Sequence, residues 1–159
     1  MGLFTAFDIC ASGMSAQRLR SDTISQNIAN VNTTRTSEGG AYKRKTVVFS
    51  EKKSNAFNNI LLSNMGTRGG GISGTGVKVT KILEDNETEM NMVYDPSHPD
   101  ADENGYVTYP NVNVVTEMTN LIDASRAYEA DVTAFNAAKA MASKGLDCLL
   151  YTSPSPRDL

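Results

Sequence analysis

The sequence predicts an α+β fold: long N- and C-terminal helices paired as a coiled coil, with a small β-rich middle domain between them. Three observations predict it. Apolar residues repeat in alternating steps of four and three at both ends of the chain, as a helix needs to keep one seam toward a partner. The middle instead carries short runs of β-branched and aromatic residues separated by Gly, Asn, Asp, Ser and Pro.

The first helix follows Leu3, Phe7, Cys10, Met14, Gln17, Ser21, Ile24, Ile28 and Val31. Gly13 is its weak point, costing roughly 1 kcal/mol against Ala in a helix interior. Asn30, Asn32, Thr33 and Thr34 offer the backbone competing hydrogen bonds and should end it. In the middle, Tyr42–Phe49, Gly76–Leu83, Met90–Tyr94 and Tyr106–Tyr109 read as strands. Lys53–Met65 is ambiguous between helix and loop, and Arg68–Gly76 reads as a flexible loop. The last helix follows Val114, Met118, Leu121, Ser125, Tyr128, Val132, Phe135, Lys139, Ala142 and Leu146. Pro110 blocks helix upstream, Asn113 is placed to cap it, and Glu117 falls in the first turn, where a carboxylate suits the helix dipole. Gly145 and the later prolines mark the expected stop. The domain boundaries are thus a helical arm at 1–34, a β-rich middle at 35–110 with a flexible loop at 54–76, a second arm at 111–147, and a tail at 148–159.

Length carries a further expectation. At about 1.5 Å per residue, 3–31 spans about 43 Å and 113–146 about 50 Å, against roughly 30–35 Å for a compact domain of this size. Much of the arms' apolar surface must therefore meet something outside the monomer. Two core helices of a small bundle would need further helices that the middle does not offer.

Composition narrows the function. The chain has 159 residues, 21% charged and 40% hydrophobic, which fits neither a disordered nor a membrane-embedded protein. A net charge of −3 argues against an electrostatic nucleic-acid binder. The one basic cluster, Lys43-Arg44-Lys45, reads as the solvated part of a strand. Cys10 and Cys148 lie near opposite ends and His98 stands alone in a turn, so a disulfide framework, a zinc site and a Cys–His nucleophile have no support. Gly69-Gly70-Gly71-Ile72-Ser73-Gly74 matches a dinucleotide fingerprint in form only, because a strand follows it instead of a helix. Asp100-Ala101-Asp102-Glu103-Asn104-Gly105 looks like the front of a calcium loop, yet Asn111 stands where the bidentate Glu belongs. A tight polar turn accounts for the same residues, and a calcium-binding interaction module is the alternative function. No catalytic, cofactor or metal-binding set is predicted. The N-terminus also lacks the basic and apolar regions of a cleaved signal peptide, and Ala6 breaks the myristoylation pattern.

Three segments resemble the flagellar basal-body rod protein family. Ser12-Gly13-Met14-Ser15-Ala16-Gln17, running into Asn27-Ile28-Ala29-Asn30-Val31-Asn32-Thr33, is similar to that family's N-terminal signature, S-x-x-x-A-Q…N-[IL]-A-N-x-[NDS]-T. Tyr94–Ala101, Gly105-Tyr106-Val107 and Pro110-Asn111-Val112 resemble a proximal-rod member. Val114–Met118 through Ser125–Ala130 resembles the C-terminal helix. The resemblance covers roughly residues 2–147. It implies a structural, non-enzymatic protein of the bacterial flagellum, exported by the type III apparatus and assembled helically in the rod. Its terminal helices would form a coaxial coiled coil with the β-domain outside. Its partners would be itself, other rod proteins and components of the membrane ring and export apparatus, with no nucleic acid and no small-molecule substrate. The implied assembly interface is Phe7, Met14, Gln17, Ile24, Asn27, Ile28, Asn30 and Val31 on the first helix, with Met118, Leu121, Ser125, Tyr128, Val132 and Phe135 on the second. Ser54–Gly76 is long for the family, and Cys148–Leu159 does not resemble its ending.

Overall fold

The computed structural model describes residues 3–37, 39–52 and 76–150. Their order is α1 (Leu3–Ala29), β1 (Lys45–Glu51), β2 (Val77–Glu84), β3 (Asn91–Tyr94), β4 (Tyr106–Tyr109) and α2 (Val114–Leu150). The ambiguous stretch 53–65, the glycine-rich loop up to residue 75 and the tail from 151 lie outside the described residues.

The helices run antiparallel against each other. The Phe7 ring lies 5.1 Å from that of Phe135, Gly13 abuts Asp131, and Asn27 bonds Glu117. Because Phe7 sits opposite Phe135, α2 runs on past the start of α1 by about 16 Å at 1.5 Å per residue. Met141 and Leu146 are exposed on that overhang. The predicted stop at Gly145 does not hold. A single glycine costs a long helix only about 1 kcal/mol, and α2 continues to Leu150. The N-cap does hold: Asn113 Oδ1 accepts from the backbone N–H groups of Val115 and Thr116 at 3.0 and 3.3 Å. Asn113→Ala should therefore cost about 1 kcal/mol, seen as a small fall in melting temperature with unchanged helix content.

The strands form two antiparallel hairpins. β1 and β2 pair from Lys45↔Glu84 to Glu51↔Val77, with a bulge that leaves Thr80 unpaired. This hairpin lies along α1. Its first residue, Lys45, is bonded by Asn27, and its far end by Ser12, whose Oγ accepts from Val77 N–H at 3.1 Å. The fit is metric: six strand steps cover about 20 Å and fifteen helical steps about 22 Å. Gly76 makes this approach possible. Its φ of +113° suits glycine, and a Cβ there would collide with Ser12 Oγ. β3 and β4 pair from Asn91↔Tyr109 to Tyr94↔Tyr106. Their long connection closes at Gly105, at φ +78°, where Asp95 N–H reaches Gly105 O at 2.9 Å.

Candidate assembly interface

Three chain segments meet where α1 ends, β1 begins and α2 starts. Asn27 is fully buried there and uses all four of its hydrogen-bonding positions. Its Nδ2 donates to Lys45 O at 2.8 Å and to Glu117 Oε2 at 2.9 Å. Its Oδ1 accepts from Lys45 N–H at 2.9 Å and Tyr42 O–H at 3.0 Å. The amide thus stands in for a neighbouring strand at the first residue of β1. Glu117 is also buried, at 1% exposure. Its Oε1 accepts from Arg44 Nε and Nη2 at 2.9 and 2.7 Å. A buried carboxylate needs a paired cation and satisfied oxygens, and this one has both. Asn111 ties the next strand in: its Oδ1 accepts from Arg44 N–H at 2.9 Å while Nδ2 donates to Asp85 O and Thr88 O. Burial, then the carboxylates of Glu84 and Glu117, push the Tyr42 phenol above its ordinary range, so it stays a donor.

Two sequence readings change here. Arg44 is not part of a solvated basic cluster; it is the counter-ion of Glu117, and Lys45 pairs with Glu84 at 3.8 Å. Glu117, expected only to favour the helix dipole, is the polar centre of the junction. The alternation Tyr42-Lys43-Arg44 was the available signal, since period two puts Tyr42 and Arg44 on one face.

The helix contact above the junction is built largely from small residues. Ala16, Ala124 and Ala138 are buried, with Ala124 at 0% exposure, and a Cβ on Gly13 would lie 2.7 Å from Asp131 Oδ2. Between α1 and α2 the seam is therefore rotated from the heptad series. Glu117, Ala124 and Ala138 face inward, whereas Met118 is 55% exposed and Ser125 lies in solvent. Leu121, Val132 and Phe135 are half-buried, and Tyr128 is exposed. On α1, Ile24 and Asn27 are buried, while Phe7, Met14, Gln17 and Ile28 are half-buried, as is Val31 in the turn just beyond it. Asn30 bonds back to Gln26 O at 2.8 Å, helping to close the helix. Ser21 bonds its own helix at Gln17 O, and Gln17 Oε1 is buried with no partner. Within the chain, the Asn27–Glu117 hydrogen bond ties the two helices together at the junction.

The Asp100–Gly105 turn gives the calcium reading no help. Asp100 is turned toward the segment that follows α1, accepting from Thr34 Oγ1 at 2.9 Å and lying 3.8 Å from Arg35 Nη1. Among the described residues no three His, Cys, Asp or Glu side chains converge on a metal position. No described helix is long and apolar enough to cross a membrane.

A long helix pair that carries two small hairpins and leaves apolar side chains open along its flanks has the form of a building block of a larger structure. Residues 7–35 match the family model described as flagella basal body rod protein, and residues 103–147 match that of the flagellar basal body rod FlgEFG protein C-terminal. The chain is 44% identical over 151 residues to the flagellar basal-body rod protein FlgC of Bacillus subtilis, covering 92% of this chain and 98% of that one. It is 42% identical to FlgC of Borreliella burgdorferi, with 94% and 99% covered, and 37% identical to FlgC of Salmonella typhimurium, with 92% and 97% covered. The chain belongs to the FlgC family of flagellar basal-body rod proteins, and its role is that of a structural rod component.

Proposed function

We propose that this chain is a subunit of the proximal rod that assembles helically with itself and with other rod proteins through its two terminal helices. The observation that carries this reading is the open apolar surface of α2. Val115, Met118 and Ile122 follow one helical face at 53–74% exposure, and Met141 and Leu146 are exposed on other sides of the overhang. A helix pair buries only one stripe of each partner, so neighbouring chains supply what the monomer lacks. Phe7, Met14, Ile28, Met118, Leu121 and Tyr128 would lie at those contacts.

In this reading 1–34 and 111–147 are the assembling arms, 35–110 is the outward module and 148–159 stands apart from the family pattern. The components of the membrane ring and export apparatus are the remaining partners, and the type III route delivers the chain to the basal body. The test is imaging of a strain lacking this protein. Its basal bodies should end at the membrane ring and its cells should not swim. Complete rods in that strain would exclude the proposal.

A further inference from the structure

Charge is divided unevenly along this chain, and the division follows its two hairpins. Between Lys81 and Arg126 there are ten carboxylates and no Lys or Arg, whereas residues 1–81 hold eleven Lys and Arg against four Asp and Glu. The acidic segment contains β3 and β4. On that hairpin Val107 is buried, so the pleat turns Met92, Tyr94 and Tyr106 to the opposite side. These three are 71%, 64% and 46% exposed, and the two tyrosine rings meet edge-on at 5.3 Å. Glu87, Glu89 and Glu103 are exposed in the flanking turns.

The β1–β2 hairpin is the complement. Val47 and Phe49 line a groove shared with Thr23 and Ile24 of α1, and the pleat places half-buried Val48 and its cross-strand neighbours on the other face. Those neighbours are Lys81, opposite Val48, and Lys78, opposite Ser50, with Leu83 on the same side opposite Thr46. The bulge at Thr80 is what brings two lysines three residues apart onto one face. Leu83 is 43% exposed, and both lysines are exposed. Among the described residues Lys78, Lys81, Glu87, Glu89 and Glu103 take part in no ion pair.

We infer that, in the assembly proposed above, the Met92–Tyr94–Tyr106 face of one subunit docks on the Val48–Lys78–Lys81–Leu83 face of a second copy. The first surface is apolar and aromatic with carboxylates in its flanking turns, the second sets Val48 and Leu83 among two lysines, and the charges on the two are opposite in sign. The two patches are different surfaces of one chain. Repeated head to tail, with each copy offering one patch forward and the other backward, the contact is heterologous and suits an open helical array. It adds a lateral contact between β modules to those made by the helices.

The test uses full-length chain in a strain lacking it. Lys78→Glu with Lys81→Glu makes both faces acidic, and Glu87→Lys with Glu89→Lys makes both basic. Each pair should cut incorporation into basal bodies about tenfold, because like charges then meet across the contact. The variant with all four changes should recover most of it. Co-expression of the two paired variants should also recover it, since each offers the face the other needs. Paired variants that incorporate as the parent does would overturn the docking. So would a fourfold variant no better than either pair, because the faces would then meet different chains. A deletion strain that swims would instead remove the rod reading itself, so the two failures are separable.

Discussion

Glu117→Ala should be the most damaging single change in the described part of the chain. It leaves the Arg44 guanidinium half-buried without a counter-ion and removes one acceptor of Asn27 Nδ2. Breaking a buried pair from one side costs about 3–5 kcal/mol. Arg44 keeps 28% side-chain exposure, so the lower end applies, about 3 kcal/mol. In a chain of this size that lowers the melting temperature by about 10 °C, and cells carrying it should not swim. Asn27→Asp probes the same point by charge. The new carboxylate would sit beside Glu117 and hold its proton more tightly in the folded state than in the unfolded state. Stability of that variant should rise as pH falls and be lost as pH rises, the reverse of ordinary acid denaturation. A Glu117→Ala protein melting within about 2 °C of the parent would show that the junction does not hold the fold as described.

The second large effect is expected at Gly13, and here the sign depends on size. Gly13→Ala gains roughly 1 kcal/mol of helix propensity. It also places a Cβ 2.7 Å from Asp131 Oδ2, a side-chain terminus that can turn aside. The two terms should nearly cancel. Gly13→Leu has no such escape, because the added branch must displace α2 itself, at a cost of about 1–3 kcal/mol. The helices would then separate where Ala16 and Ala124 are buried, shifting every side chain offered to neighbours. Thermal melts and swimming assays should show the Ala variant close to the parent and the Leu variant impaired in both. A Leu variant that melts and swims normally would mean the helices do not approach this closely.

What could be read from the sequence was local. Short β-branched and aromatic runs located all four strands, since Val47, Val79, Val93 and Val107 lie in stretches that turn residues bound. Asn113 was legible as a cap because its geometry depends only on the next three residues. The junction was not legible, because Asn27, Arg44 and Glu117 are brought together from three distant segments. The seam was misplaced on α2 for another reason: hydropathy patterns favour large side chains. Close helix contacts are made by Gly13, Ala16 and Ala124, whose small size is what allows the approach. Met118 then looks like a core residue although it is open to neighbours. Family resemblance supplied the functional class that periodicity alone could not.

The way β1 and β2 are held bears on how this protein can vary. Glu51 pairs with Val77, Lys52 N–H reaches Gly76 O at 2.8 Å, and Ser12 fastens the same end to α1. The two ends of the 25-residue connection between Glu51 and Val77 are therefore held at one fixed point. Once the ends of a connection are fixed, the chain-closure entropy grows by only about 0.6 kcal/mol for each doubling of its length, less than losing one helix cap. Mutation can thus lengthen, shorten or rewrite that stretch without retuning the helix pair or the buried junction. Different lineages can alter this part of the subunit while inheriting the same frame.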